Sequence, residues 1–280
     1  MKNRIILLII CLFFINSVSI AAQIRKKEGY LSDSKEKNKT VTTYYLVDSA
    51  GRKISTQEYD YLDEVNENLF IAKDGIKYGL IDGKGKSLVP FEYQEIKWLK
   101  YNVLRFKYNN KFGLMTFSGG LILPANYTYL EKIDDRVLKY NNNSDNKVEG
   151  VSGNNSITLI GLMDYQGNII TEPKYSYIDK IDNYLLRVIM SASKEEGNSQ
   201  QALPPGIVSP TAGSEQARQY VTGKYGLIDY SGKVVLTPQY DYLNKINNTI
   251  LQVKKGQSWG RVEYYHGNIL NVMMDYQSYW

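Results

Sequence analysis

The stretch Tyr225-Gly226-Leu227-Ile228-Asp229-Tyr230-Ser231-Gly232-Lys233-Val234-Val235-Leu236-Thr237-Pro238-Gln239-Tyr240-Asp241-Tyr242 decides the fold. It opens with an aromatic residue and a glycine, runs through an apolar pair into Asp229, and turns at Gly232. A second apolar pair follows, then a proline and two tyrosines set two apart. Short β-branched and aromatic runs punctuated by Asp-x-x-Gly and proline are strands and turns. The same register recurs at Tyr44-Tyr45-Leu46-Val47-Asp48, Tyr78-Gly79-Leu80-Ile81-Asp82, Phe112-Gly113-Leu114-Met115-Thr116, Ile160-Gly161-Leu162-Met163-Asp164 and Trp259-Gly260-Arg261-Val262-Glu263. The starts at 44, 78, 112, 160, 225 and 259 fix a period of 34, lengthened in two places.

A glycine stands seven places after the first aromatic in five copies: Gly51, Gly85, Gly119, Gly167 and Gly232. In the sixth, one extra residue moves it to Gly267. Pro90, Pro124, Pro173 and Pro238 recur, as do Tyr59, Tyr93, Tyr127, Tyr175 and Tyr240; a second tyrosine follows at Tyr61, Tyr129, Tyr177 and Tyr242. Nowhere does a 3.6-residue period persist long enough for a helix. Each unit is therefore three or four short strands, too small to bury its apolar face without neighbouring copies.

These motifs resemble the WG repeat family of bacterial proteins, whose pattern is aromatic-Gly-x-[Ile/Leu]-Asp-x-x-Gly, an apolar pair, then Pro and Tyr-Asp. The literal Trp-Gly occurs at Trp259-Gly260, and the first copy has Tyr45 in place of the glycine. The resemblance covers residues 44–280 and implies an all-β repeat protein with an interaction role. It carries no catalytic residues to transfer. The expected architecture is an open, solenoid-like curved array of tandem β repeats; a six-bladed β-propeller is the alternative. Arg261 and Asn271 in the last copy, which lacks a final strand, and Tyr45, Lys53 and Ser55 in the first, read as capped ends.

Each repeated residue type has a structural and a functional reading. An aspartate ahead of a turn glycine bonds backbone amides through its own side chain, and this outweighs a row of calcium ligands or paired catalytic carboxylates across Asp48, Asp82, Asp164, Asp229 and Glu263. Thr116 stands in that place in the third copy and suits turn bonding better than calcium. The repeated tyrosines invite a sugar-stacking platform, yet every copy contributes them, which favours packing between repeats. Tyr240 and Tyr242, two apart, are expected on one face of a strand. The glycine after each aromatic is expected to lie beneath an aromatic ring of another repeat. His266, the sequence's one histidine, reads as exposed turn surface, with no partner for a zinc site and no nucleophile motif.

Outside the repeats, residues 1–22 show the charged, apolar and small-residue order of a signal peptide, with cleavage expected near Ala21 or Ala22 and an extracytoplasmic destination (periplasm, cell surface or medium). Residues 23–43 read as a flexible lead-in, and 141–158 and 191–223 as polar insertions between equivalent strands, hence on one face. No later segment is apolar enough to be a transmembrane span. The single cysteine, Cys11, lies in the leader, so disulfides, thiolate zinc sites and a cysteine nucleophile are excluded from the processed chain. Over 280 residues, 43% apolar and 22% charged, the formal charge is +5; without Lys2 and Arg4 it falls to +3, too even to suggest nucleic acid. The expectation is a non-catalytic binding or scaffold protein for a protein or cell-envelope partner, with no cofactor or metal. A carbohydrate-binding module or glycan-acting enzyme is the alternative.

Overall fold

The computed structural model describes residues 22–30, 40–143, 147–149, 156–191 and 223–274. The leader up to Ala21 and the insertion from 192 to 222 lie outside the described residues. Those described are all-β, without a helix. In chain order, β1 (Gln23–Tyr30) and β2 (Thr40–Val47) form a ribbon, and five four-stranded antiparallel sheets follow. The first sheet is β3 (Tyr61–Asn66), β4 (Leu69–Asp74), β5 (Lys77–Asp82) and β6 (Ser87–Tyr93). The second is β7 (Glu95–Lys100), β8 (Val103–Tyr108), β9 (Lys111–Met115) and β10 (Leu121–Tyr127).

The third sheet takes β11 (Tyr129–Lys132), β12 (Val137–Asn141), β15 (Ile160–Asp164) and β16 (Ile169–Tyr175), with the small ribbon β13 (Lys147–Glu149) and β14 (Ser156–Thr158) between. The fourth is β17 (Tyr177–Lys180), β18 (Leu185–Ser191), β19 (Gly223–Asp229) and β20 (Val234–Tyr240). The fifth is β21 (Tyr242–Lys245), β22 (Ile250–Lys255), β23 (Ser258–Tyr265) and β24 (Asn268–Met274). None of the sheets closes into a barrel.

Sheets and sequence units are out of phase. The aromatic-glycine strand that opens each unit is the third strand of a sheet, so the fourth sheet takes β17 and β18 from the unit starting at 160 and β19 and β20 from the next. One unit's backbone ladder is thus completed by its neighbour. The last unit, which lacks a final strand in the sequence, supplies β23 and β24 and completes the fifth sheet. Both insertions leave from between the second and third strands of their sheets, and the first of them contains the β13–β14 hairpin.

Contacts divide the chain into two compact units, residues 1–75 with Leu80–Leu88, and Ile76–Gly79 with Val89 onward. In the first, β2 pairs along its whole length with β1, from Gln23 opposite Val47 to Tyr30 opposite Thr40. Of the lead-in expected over 23–43, residues 23–30 and 40–43 are therefore strand, and 31–39 lie outside the described residues. Its polar composition hid this, because a ribbon edge needs only backbone partners and Thr40–Val47 supplies a β-branched strand to pair with.

In the second unit the core lies between successive sheets. Leu114 and Leu123 of the second sheet meet Leu130, Leu138, Tyr140 and Met163 of the third. The other face of the third, through Ile160, Leu162 and Tyr175, meets Ile178, Leu186, Val188 and Ile228 of the fourth. Leu227, Leu236 and Tyr240 then meet Leu243, Leu251, Val253, Val262 and Tyr264 of the fifth. Adjacent residues point to opposite faces of a strand. A strand buried on both faces reads as a continuous apolar run, which is why the motif carries pairs such as Leu162-Met163 and Leu227-Ile228 rather than an alternation.

One residue crosses from each four-stranded sheet to the next, Gln94, Thr128, Ser176 or Asp241, and Asp60 holds the same place ahead of the first sheet. Tyr240 and Tyr242 therefore belong to different sheets rather than to one strand face. The crossing amide pairs with the incoming sheet, as in Asp241 N to Lys254 O at 2.8 Å. Its side chain ties the next hairpin: Asp60 Oδ2 accepts from Gly75 N, Gln94 Oε1 from Asn110 N and Asp241 Oδ2 from Gly256 N. The prolines lie on the edge strands β6, β10, β16 and β20, where a missing N–H costs least. Register shifts next to Pro124, Pro173 and Pro238 bring that backbone down onto the facing glycine.

Candidate binding surface

Turn bonding accounts for the four repeated aspartates, whereas Glu263 in the last copy pairs with Arg261 at 3.5 Å. Asp48 Oδ1 accepts the amides of Ala50 and Arg52, Asp82 Oδ1 those of Lys84 and Lys86, Asp164 Oδ1 those of Gln166 and Asn168, and Asp229 Oδ1 those of Ser231 and Lys233, all at 2.8–3.0 Å. Thr116 Oγ1 accepts from Gly120 N at 3.1 Å. The turn glycine follows at φ between +78° and +92° in these five copies, a region an L side chain enters only at a cost. Among the described residues no group of three His, Cys, Asp or Glu is placed to hold a metal ion.

The repeated tyrosines are packed. Tyr59, Tyr175, Tyr177 and Tyr240 are buried; Tyr93, Tyr127, Tyr129 and Tyr242 are half-buried. Tyr61 alone among them is exposed. The glycines after the aromatics are buried too, but an aromatic ring is only part of what covers them. A Cβ on Gly226 would meet Leu236 O at 2.6 Å and Pro238 N at 2.7 Å; on Gly113 it would meet Phe106 Cζ at 2.6 Å and Leu123 O at 2.7 Å. A carbonyl of the facing fourth strand stands close in each copy (Val89 O, Leu123 O, Thr171 O, Leu236 O and Met273 O), and a ring from another repeat joins it at Gly113, where Phe106 comes from the preceding unit.

What remains open is one end of the sheets, where the loops joining first to second strands meet the turns joining third to fourth. Lys100 of the second sheet bonds Asp135 O of the third and stands 3.8 Å from the centroid of the Tyr165 ring. Between the third and fourth sheets, Arg136 donates to Asp134 Oδ2 at 2.7 Å and to Asn183 O at 2.6 Å, while its guanidinium lies 3.4 Å from the centroid of Tyr230. Lys180 adds a contact to Asp134 Oδ2 at 3.3 Å.

Between the fourth and fifth sheets the same position opens into a cavity of about 250 Å³ bordered by Asp182, Tyr184, Lys245, Asn248, Tyr265 and His266. His266, at φ +45°, is stacked between Tyr265 and Tyr184, with ring centroids 4.0 and 4.9 Å away. Trp98, Tyr101, Tyr184 and Tyr265 are the large aromatics exposed along this end. The sequence reading missed this grouping, since these four aromatics come from loops and strand ends of three sheets and none is repeated.

Burial would raise the Asp134 carboxyl, but hydrogen bonds from the guanidinium and amide of Arg136 outweigh it and hold the group well below the usual carboxylate range. With the folded pKa depressed below the unfolded value of about 3.9, the stability it contributes is fully present above that value and is lost as pH falls below it and through the folded pKa. The urea midpoint of the protein is expected to fall between about pH 5 and the acid limit, and Arg136→Met to flatten that part of the profile. Coincident profiles for the two proteins would contradict this.

Fold and surface together define an all-β tandem-repeat protein whose repeated polar residues hold its own turns. Residues 78–112, 160–185 and 225–259 match the WG containing repeat family. No curated protein matches the sequence. Among solved structures, the chain is similar to Hsv2p of Kluyveromyces lactis at 11% identity and a TM-score of 0.28, covering 71% of each chain. It is similar to Hsv2 of Kluyvelomyces marxianus at 10% identity and a TM-score of 0.29, covering 85% of this chain and 92% of that one.

Proposed function

We propose that the chain is a non-catalytic extracytoplasmic module that binds a protein partner, of the cell envelope or beyond it, through the open end of its sheets. The observation that carries this is the exposed row Trp98, Tyr101, Tyr184 and Tyr265 with Lys100, Arg136 and Lys180 between them. Tyrosine, tryptophan and arginine are the residues that dominate protein interfaces, because each offers a large rigid apolar surface with a polar tip. The repeated aspartates and tyrosines are occupied in turns and packing, which removes the main support for a glycan-acting site. The leader sequence supports export, and among the described residues no helix is long and apolar enough to cross a membrane.

Two variants test the reading against envelope extracts and purified candidate proteins. In one, residues 192–222 are replaced by Asn-Gly, a turn that suits the Ser191–Gly223 pair at the hairpin's end. In the other, Trp98, Tyr101 and Tyr265 become serine. Capture of a partner is expected to survive the first change and drop at least about tenfold with the second, as loss of aromatic anchors does. The opposite pattern would place binding on the insertion.

A further inference from the structure

The cavity between the fourth and fifth sheets is the unfilled counterpart of a joint that the protein fills elsewhere with its own arginine. Position by position, Lys180, Asp134, Arg136 and Tyr230 at the joint between the third and fourth sheets correspond to Lys245, Asp182, Tyr184 and Tyr264 at the next. Asp134 and Asp182 are used alike: Asp134 Oδ1 accepts the Arg136 amide at 2.9 Å, and Asp182 Oδ1 accepts the Tyr184 amide at 2.8 Å. Tyr230 donates to Asp182 O at 3.0 Å, as Tyr165 donates to Asp134 O at 2.9 Å.

The difference is the cation. In the filled joint a guanidinium lies on an aromatic ring and bonds a carboxylate of one sheet and the carbonyl of Asn183 in the next. In the open joint Tyr184 takes the arginine's place and stacks on His266, which the one-residue extension of the last turn supplies. The counterpart of the Asn183 carbonyl is that of Asn248, on the cavity's border. Among the described residues no ion pair within 4 Å joins Asp182 to a cation or Lys245 to an acid; Arg136 acts on Asp182 only from farther off, and the Tyr264 hydroxyl faces it.

We propose that this cavity binds the guanidinium of an arginine side chain presented by a protein partner, between the Asp182 carboxylate, the Asn248 carbonyl and the Tyr184–His266–Tyr265 rings. The proposal rests on reading the chain as a protein-binding module and names the residue that its partner inserts. A planar cation with a fork of donors suits a carboxylate, a carbonyl and a ring face at once, which an ammonium does not. Lys245 on the cavity's border is no obstacle, because its counterpart Lys180 contacts Asp134 at 3.3 Å while Arg136 is bound there.

His266 is the sequence's one histidine, so its imidazole protons form an isolated pair of proton NMR signals in the full chain. Titration with N-acetyl-arginine amide is expected to move them saturably. N-acetyl-lysine amide should bind at least about fivefold more weakly, and methyl glucoside should leave the signals unmoved. Tyr184→Arg, which rebuilds the filled joint, is expected to abolish the arginine response while keeping the wild-type melting temperature or raising it. An equal lysine response would make this a plain charge site, and a response to the glycoside alone a sugar site. No saturable response, or an unchanged one in Tyr184→Arg, would equally overturn the assignment. If arginine binds but no protein is captured by the intact chain, the binding-module reading fails instead; if capture persists without an arginine response, only the cavity's assignment fails.

Discussion

Replacing Arg187 by alanine is expected to destabilise the protein by about 3 kcal/mol, seen as a fall in the urea midpoint at unchanged slope. Arg187 sits in the middle of β18 with 3% of its surface exposed. Its Nε donates to Asp179 Oδ1 at 2.9 Å, its Nη2 donates to Asp179 Oδ2, and Nη1 reaches across to Leu243 O of the fifth sheet at 2.8 Å. Alanine leaves the carboxylate without its cation and the carbonyl without its donor, and opens a cavity between two sheets. Breaking one half of a buried pair costs more than removing both, because the remaining charge stays desolvated. Arg187→Met with Asp179→Leu is therefore expected to recover most of the loss. A midpoint for Arg187→Ala within experimental error of the wild type would show that the fourth and fifth sheets are not joined through this side chain.

Arg187 also marks where the sequence stops being legible. The period, the all-β class and the turn role of Asp164 and Asp229 follow from short-range patterning, because an aspartate two and four residues from its amide partners needs nothing from the rest of the chain. The phase of the sheets does not follow from it. A 34-residue period is the same wherever the unit is cut, and only the ladder shows that Tyr240 ends one sheet and Tyr242 begins another. The polar crossing residue between those tyrosines was visible; its bond to a hairpin about 15 residues away was not. Joint residues such as Arg136 and Tyr184 were beyond reach for another reason. They differ from copy to copy, so a reading built on repetition passes over the positions where the copies have diverged.

Gly226→Ala tests the contact that the repetition conserves within the chain, and is expected to cost about 3 kcal/mol, at the upper end of overpacking effects. The added methyl would lie 2.6 Å from Leu236 O, 2.7 Å from Pro238 N and 2.7 Å from Pro238 Cγ. Two of these atoms are backbone, and the third is fixed by the proline ring, so no rotamer change relieves the clash. Relief requires β20 to lift from β19, and β20 carries Leu236 and Tyr240 into the core shared with the fifth sheet. The appropriate control is Gly256→Ala, at φ +61° with nothing within 4 Å of the added Cβ. There the cost is backbone strain alone, about 1 kcal/mol, and Gly256→Asn should recover part of it because asparagine tolerates the left-handed region. If the two alanine variants unfolded at the same urea concentration, conformational freedom rather than close approach would explain the glycine after each aromatic. A larger loss at Gly226, with the slope unchanged, would establish the proline strand's carbonyl as the reason that position admits no side chain.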